Sequence, residues 1–345
     1  MIPIQNIYYM LSYAFQVLNE QGYKNIATEQ FHNTAELMAA ILEKGIAIQL
    51  KRGLGKEYIP QTEALSSLRG KIDIAESIKT QSMLRKQLIC TYDEFSVNSI
   101  MNQIIKSTVE LLLCSTISKQ RKKNLRKLMV YFSEVDFIDS YTVNWNVQYN
   151  RNNQTYRMLI SICYLVVKGL LQTQSNGHTK LMDFLDEQRM CRLYEKFILE
   201  YYRKEFKNQI TANASQIPWQ LDNEENSMLS VMQSDIMLQS GEKVLIIDAK
   251  YYEHSTQVQF DKHTLHSGNL YQIFTYVKNK EYELREKDHT VSGMLLYAKT
   301  DEEIYPNNVY QMSGNQIDVR TLDLNLPFDE IASQLNTIAK THFDL

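Results

Sequence analysis

Residues 234–250 read SDIMLQSGEKVLIIDAK, two apolar runs joined at a glycine, with a carboxylate near each outer end. Gly241 and Glu242 separate the runs, and glycine at the first central position is what a two-residue type II′ hairpin turn requires. That turn sets the register. With Ser240 facing Lys243, residue numbers on opposed positions sum to 483, so Asp235 faces Asp248. Opposed residues of an antiparallel pair bring their Cβ atoms to about 4.5–5.5 Å. Side chains alternate along a strand, which puts Lys250 on the face of Asp248. Residues 244–247, VLII, form the unbroken apolar run of a strand buried on both faces. Two carboxylates at the end of such a strand repel one another and need a compensating cation.

Two readings of this convergence stand side by side. Lys250 can neutralise one aspartate in a structural salt bridge at the end of the sheet. Alternatively, a divalent metal ion supplies the cation, since Mg²⁺ is held by one or two carboxylates together with water and substrate phosphate. The lysine is then placed to orient or deprotonate the attacking water, or to offset charge on the phosphate.

Working outward, "NLYQIFTYVKNK" and "VSGMLLYAK" follow the hairpin as a helix and a strand. The order strand, strand, helix, strand predicts an α/β (α+β) domain with a mixed sheet flanked by helices. Upstream, "MCRLYEKFILEYY" keeps Met190, Leu193, Tyr194, Phe197, Ile198 and Tyr201 on one helical face. "IQNIYYMLSYAFQVL" and "AELMAAILEKGIAIQL" repeat that periodicity near the start. Between 51 and 78, Gly53, Gly55, Pro60 and Gly70 punctuate short β-like pieces, which predicts strands joined by an exposed, projecting loop. Residues 140–156 are polar and Asn-rich, and the domain boundary is expected near 155, giving domains 1–155 and 156–345.

The chain has 345 residues, 44% of them hydrophobic and 22% charged, which is the composition of a folded globular protein of about two domains. A net charge of -3 means that any polyanion must be met by local basic patches or through metal ions. "KQRKKNLRKL" carries six basic residues from Lys119 to Lys127, and without interleaved aromatics it reads as a solvated helix face, with a phosphate-binding patch as the alternative. Cys90, Cys114, Cys163 and Cys191 lie far apart with no zinc spacing, as expected of thiols in a reducing cytoplasm. The N-terminus lacks a basic signal region and no apolar tract is long enough to span a bilayer, so a cytoplasmic protein with no membrane partner is expected. His263 and His266 lack further ligands for a zinc site, and Trp145 and Trp219 read as packing residues.

Asp235 with Asp248-Ala249-Lys250 resembles the PD-(D/E)xK nuclease motif, with Ser234 where proline is usual and Asp248 where glutamate is more frequent. "IPIQNIYYMLSYAF", "RGL" at 52–54, "LRGKI" at 68–72, "LYEKF", "DAKYY" and "NLYQIFTY" occur in the order seen in McrC proteins. The resemblance runs over essentially the whole chain, although Gln5 and Phe15 stand where Arg and Trp are expected. McrC proteins are the nuclease subunits of McrBC-type modification-dependent restriction systems. The resemblance implies a C-terminal restriction-endonuclease-like domain and an N-terminal helical/β domain that docks on a separate AAA+ GTPase and stimulates it. It further implies cutting of methylated double-stranded DNA with Mg²⁺, or Mn²⁺, and pairing of two nuclease subunits for double-strand cuts. GTP is then used by the partner: this chain has no G-x-x-x-x-G-K-[ST] loop, because Leu50 and Leu65 occupy the first-glycine positions before its two Gly-Lys pairs. The loop at 51–70, with Lys51, Arg52, Lys56 and Arg69, is the candidate for the projection toward the ring.

In such nucleases an acidic residue on the helix before the hairpin contacts the metal, which nominates Glu195; a solvated helical glutamate is the alternative. Gln272 and Tyr276 are four apart on the following helix and so share a face. Resemblance to a Gln-x-x-x-Tyr pair places Gln272 beside the phosphate or the lysine, with core packing of Tyr276 as the alternative. Expected catalytic residues are therefore Asp235, Asp248, Lys250, Gln272 and Glu195, of which Asp235, Asp248 and Glu195 would hold metal. Two other functions compete: a non-catalytic regulator of an AAA+ NTPase that keeps the nuclease fold as a scaffold, and a stand-alone repair nuclease.

Overall fold

A computed structural model describes the chain except for residues 1, 20–22, 24, 25, 27, 28, 30, 140, 141, 152, 176–186, 223–227, 253–256, 260, 261 and 300–304. It divides into two compact units, Met1–Gln30 with Leu185–Leu345, and Phe31–Phe184. This division differs from a single cut near 155. The N-terminal helix α1 (Ile4–Ala14) joins the C-terminal part of the chain, and residues 156–184 join the middle. The reason lies in long-range contacts that periodicity cannot reveal. Asn6 donates from Nδ2 to the carbonyls of Leu324 and Leu326, both at 2.8 Å. Tyr13 packs among the rings of Phe197, Tyr201 and Phe328.

The middle unit is built on α2 (Thr34–Arg52), with β1 (Glu57–Leu65), β2 (Lys71–Asp73), α3 (Ile74–Lys79) and β3 (Leu88–Ser96) following. Helices α4 (Ile100–Cys114), α5 (Lys119–Met129) and α6 (Tyr156–Ser175) complete it. Asn33, Ser99 and Ser118 each cap a helix by accepting the N–H three residues on. The expected loop at 51–70 is mostly regular: Lys51 and Arg52 end α2, and 57–65 is a nine-residue strand. Sheet order is β1-β3-β2, so β1 is an edge strand and tolerates Pro60, which cannot donate to a central ladder. At the root of this sheet the Tyr156 hydroxyl accepts from Gly55 N at 2.7 Å and donates to Asn102 Oδ1 at 2.8 Å.

The other unit holds α1, α7 (Glu187–Glu205), β4 (Thr211–Asn213), β5 (Gln216–Ile217), β6 (Met232–Gln233), β7 (Ile236–Ser240) and β8 (Lys243–Lys250). After β9 (Gln257–Gln259) and β10 (Lys262–Thr264) come α8 (Ser267–Leu284), β11 (Thr290–Ala298), β12 (Asn308–Met312), β13 (Asn315–Leu322) and α9 (Phe328–Phe343). Its main sheet has six strands in the order β12-β13-β11-β8-β7-β4. Strands β8, β11 and β13 run parallel, while β7 is antiparallel to β8, which makes the expected mixed sheet. Val244, Ile246, Leu295 and Ile317 pack under α8 with Ile273 and Val277. Leu245, Ile247, Met294 and Leu296 are equally buried on the other face. There α7 and α9 contact β8 and are joined by the Tyr202 hydroxyl donating to Leu335 O at 3.0 Å. Gly293 sits where α8 crosses the sheet closely: a Cβ there would lie 2.8 Å from Ile273 and Val277. None of the described helices is long and apolar enough to cross a membrane.

Candidate active site

The hairpin forms in the expected register, with Ser240 opposite Lys243 and Ile236 opposite Ile247. Gly241 has φ +57°, in the left-handed region, while Glu242 keeps an ordinary negative φ, the combination a type II′ turn demands. One position beyond β7, Asp235 follows the same alternation toward Asp248. Its Oδ2 accepts the Ala249 N–H at 3.0 Å, which ties this carboxylate to the backbone of β8. Ser234 holds the approach: its N–H donates to Ser215 O at 3.0 Å and its hydroxyl donates to the same carbonyl at 3.1 Å.

Asp248 is 1% exposed, and neither of its carboxylate oxygens accepts a hydrogen bond from the described residues. Its close polar neighbours are the Lys250 ammonium, 2.8 Å from Oδ2 as an ion pair, and the Asp235 carboxyl beside it. Burial raises the Asp248 pKa well above the carboxylate range; Lys250 opposes this, and the nearby Asp235 carboxyl adds to it. Burial alone would lower the Lys250 pKa, but the Asp248 carboxylate outweighs it and the ammonium is held charged. Three groups thus share one low-dielectric patch. With both aspartates ionised the patch carries one uncompensated negative charge, a state that buried groups avoid unless a cation or a proton arrives.

From α8, Gln272 Oε1 accepts from Lys250 Nζ at 3.4 Å, and Gln272 Nε2 donates to the Tyr276 hydroxyl at 2.9 Å. The amide is therefore oriented with its oxygen toward the lysine, and Tyr276 both packs in the core and fixes that orientation. Glu195 does not complete a three-acid site: among the described residues no three His, Cys, Asp or Glu side chains converge as metal donors. Its Oε1 instead accepts the Cys191 thiol at 3.1 Å. Burial raises the Glu195 pKa, with the Asp235 charge adding to it, so it belongs to the same electrostatic patch without closing on the two aspartates. Cys191 is a neighbour that the sequence motifs do not name, and its place one turn before Glu195 on α7 is the signal that could have found it. The side chain of His263 lies outside the described residues; Trp145 meets Tyr164 edge-on, while Trp219 donates to Ser230 O and stays 37% exposed.

The donor set fits a small hard cation. Asp248 offers two buried oxygens without hydrogen bonds, and Asp235 has one oxygen beyond the one bonded to Ala249. Mg²⁺ and Mn²⁺ take such carboxylates with water and phosphate filling the remaining positions.

The profile of one protein family, described as McrBC 5-methylcytosine restriction system component, matches residues 5–298. The chain belongs to the McrBC family. Within that family, a relative from Escherichia coli (strain K12), described as Type IV methyl-directed restriction enzyme EcoKMcrBC, is 30% identical over 347 residues, covering 97% of this chain and 96% of its own. The McrBC-family fold is seen also in a solved structure described as a refined half-complex from the tetradecameric assembly of Thermococcus gammatolerans McrB AAA+ hexamers with bound McrC. That likeness has a TM-score of 0.50 at 17% identity and covers 97% of this chain and 76% of the other.

Proposed function

We propose that this chain is the nuclease subunit of an McrBC-type restriction complex, a PD-(D/E)xK endodeoxyribonuclease that cuts methylated DNA when assembled with an AAA+ GTPase. The observation that carries this is the convergence of Asp235, Asp248 and Lys250 at one end of a buried hairpin, with two carboxylate oxygens left without hydrogen bonds. Membership in the McrBC family supports the substrate class, and the Thermococcus complex supports an AAA+ partner of the McrB type.

Asp235 and Asp248 would hold a Mg²⁺ or Mn²⁺ ion, which supplies Lewis-acid polarisation of the scissile phosphate and lowers the pKa of a bound water. Asp235, pinned by the Ala249 N–H, gives the site one fixed donor and Asp248 gives it two oxygens from an unyielding strand. Lys250 stays cationic in the resting site, which suits it to orient the attacking water and to offset charge developing on the phosphate. Gln272 restrains the ammonium from the α8 side and leaves it short of full burial. Water attacks phosphorus and releases a proton to solvent, the bond to one bridging oxygen breaks, and that oxygen leaves with a proton taken from solvent.

Docking on the GTPase is assigned to the β1-β3-β2 sheet of the middle unit. Tyr58 and Phe95 pack ring to ring near one end of it while 72% and 55% exposed, and Ile74, Ile78 and Leu84 are exposed where α3 and the turn after it adjoin the other end of β3. Apolar side chains exposed at this density mark an interface. A regulator role is thus part of the same reading, and two copies per assembly would supply double-strand cuts.

Asp248→Ala and Lys250→Ala, assayed on methylated duplex with the GTPase partner and GTP, are expected to abolish cutting and to leave stimulated GTP hydrolysis intact. Full cutting by either variant overturns the nuclease assignment.

A further inference from the structure

We infer that helix α5 is a duplex-DNA backbone contact, made by a stripe of five cations that the rest of the protein leaves uncompensated. The helix reads KQRKKNLRKLM and contains no acidic residue. Its orientation is fixed by what it turns inward. Arg121 donates to Glu36 at 3.3 Å and to Glu43 at 2.9 Å, Asn124 donates to Glu43 at 2.9 Å, and Leu125 is fully buried. At 3.6 residues per turn, Lys119, Lys122, Lys123, Arg126 and Lys127 then fall within an arc of roughly 140° on the opposite side. Lys122 is partly exposed and the other four are exposed. Among the described residues, none of the five side chains has an ion-pair or hydrogen-bond partner.

Such a stripe costs the helix stability. Lys119–Lys123, Lys122–Arg126 and Lys123–Lys127 are like charges one turn apart, and Lys119 also opposes the positive end of the helix dipole. A face that merely meets water carries mixed signs and avoids that repulsion. A single-sign stripe is what a polyanion demands, and in a chain of net charge -3 it must be local.

The composition of the stripe selects the polyanion. Four of the five cations are Lys, which protein–protein interfaces disfavour, and no apolar side chain interrupts them as an interface core would require. The helix has no aromatic residue on which unpaired bases could stack, which argues against single strands and leaves the duplex untouched. From Lys119 to Lys127 the stripe runs about 12 Å along the helix axis, the reach of several phosphates at about 3.4 Å per charge along one strand. Contacts of this kind position DNA without reading its sequence. Arg121 is the one basic residue of the run that is structural, and the sequence pattern alone could not separate it from the other five.

The inference rests on the proposed function only in taking duplex DNA as the polyanion, and it uses none of the hairpin residues. Binding of the full chain to a fluorescent unmethylated duplex of about 30 bp is measured by anisotropy, in EDTA, across KCl concentrations. Lys119→Gln/Lys123→Gln/Lys127→Gln is expected to lower the slope of log affinity against log salt by up to about 2.7, at about 0.9 for each phosphate no longer neutralised. The charge-keeping Lys119→Arg/Lys123→Arg/Lys127→Arg retains the slope. Should the triple Gln variant fail to fold, Lys123→Gln alone is expected to lower the slope by about 0.9. An unchanged slope and affinity overturn the inference, and so does a triple variant that binds DNA normally but no longer stimulates the GTPase. Cutting of methylated duplex by the wild-type chain with the GTPase partner and GTP is scored apart from the salt slope, so failure of the nuclease reading is seen separately.

Discussion

Lys250→Met tests how the hairpin patch is held together before any metal or DNA arrives. The substitution keeps the length of the side chain and removes the ammonium 2.8 Å from Asp248. Asp248 is then buried with no cation beside it and, among the described residues, no hydrogen-bond donor. Breaking a buried pair from one side costs about 3–5 kcal/mol, and the lower figure applies because Lys250 keeps 14% of its side chain exposed. The cost has a definite pH dependence. Asp248 already has a folded pKa above its unfolded value, so it stabilises the fold when protonated and loses that contribution as pH rises through the window between the two. Loss of Lys250, which lowers that pKa, pushes the folded value higher still. The deficit of the variant is therefore expected to be under about 1 kcal/mol near pH 5. It opens above the wild-type pKa of about 7 at up to about 1.4 kcal/mol per pH unit, to about 2 kcal/mol at pH 8 and about 3 kcal/mol at pH 9. Urea unfolding in a Trp145→Phe background makes Trp219 the sole tryptophan and reports this unit alone. Equal deficits at pH 5 and pH 8, or no deficit at either, would refute the account of a charged patch relieved by protonation.

Other consequences follow from packing and capping. Gly293→Ala places a methyl 2.8–2.9 Å from Ile273, Val277 and Ile317, and a loss of about 1–3 kcal/mol is expected in the same urea assay. Asn6→Ala strands two carbonyls and should cost about 2 kcal/mol in the unit reported by Trp219, where a separate N-terminal domain would predict no effect there. Tyr156→Phe leaves Gly55 N–H and Asn102 Oδ1 without their shared partner; the unit reported by Trp145 should be destabilised by about 2 kcal/mol, with Trp219 fluorescence unmoved.

The centre of the site was legible because the information was local. One glycine at position 241 fixed the turn, the turn fixed the register, and alternation put Lys250 beside Asp248. Gln272 and Tyr276 followed from helical spacing, although which end of the amide faces the lysine depends on a hydroxyl in the core. Glu195 was legible as a neighbour but not as a cysteine-bound one, since the competing donor sits on its own helix one turn away. The units were not legible. Asn6 finds its partners about 320 residues later, a distance at which periodicity carries nothing. The span at 57–65 read only as short β-like pieces with a loop, because Pro60 and nearby glycines interrupt the pattern, and its continuous nine-residue strand depends on pairing with 88–96. Strands β12 and β13 and helix α9 went unread for the same reason, as their burial is settled by β11 and β8.

Two carboxylates gripping one hard cation are the centre of the proposed chemistry. A crystal or cryo-EM structure of the full chain with Mn²⁺, phased on or checked by its anomalous signal where crystals allow, tests that directly. A metal peak within about 2.3 Å of oxygens from both Asp235 and Asp248, absent in Asp248→Asn, is the predicted result. Manganese bound elsewhere in a preparation that cuts DNA, or a peak that survives Asp248→Asn unchanged, would contradict it.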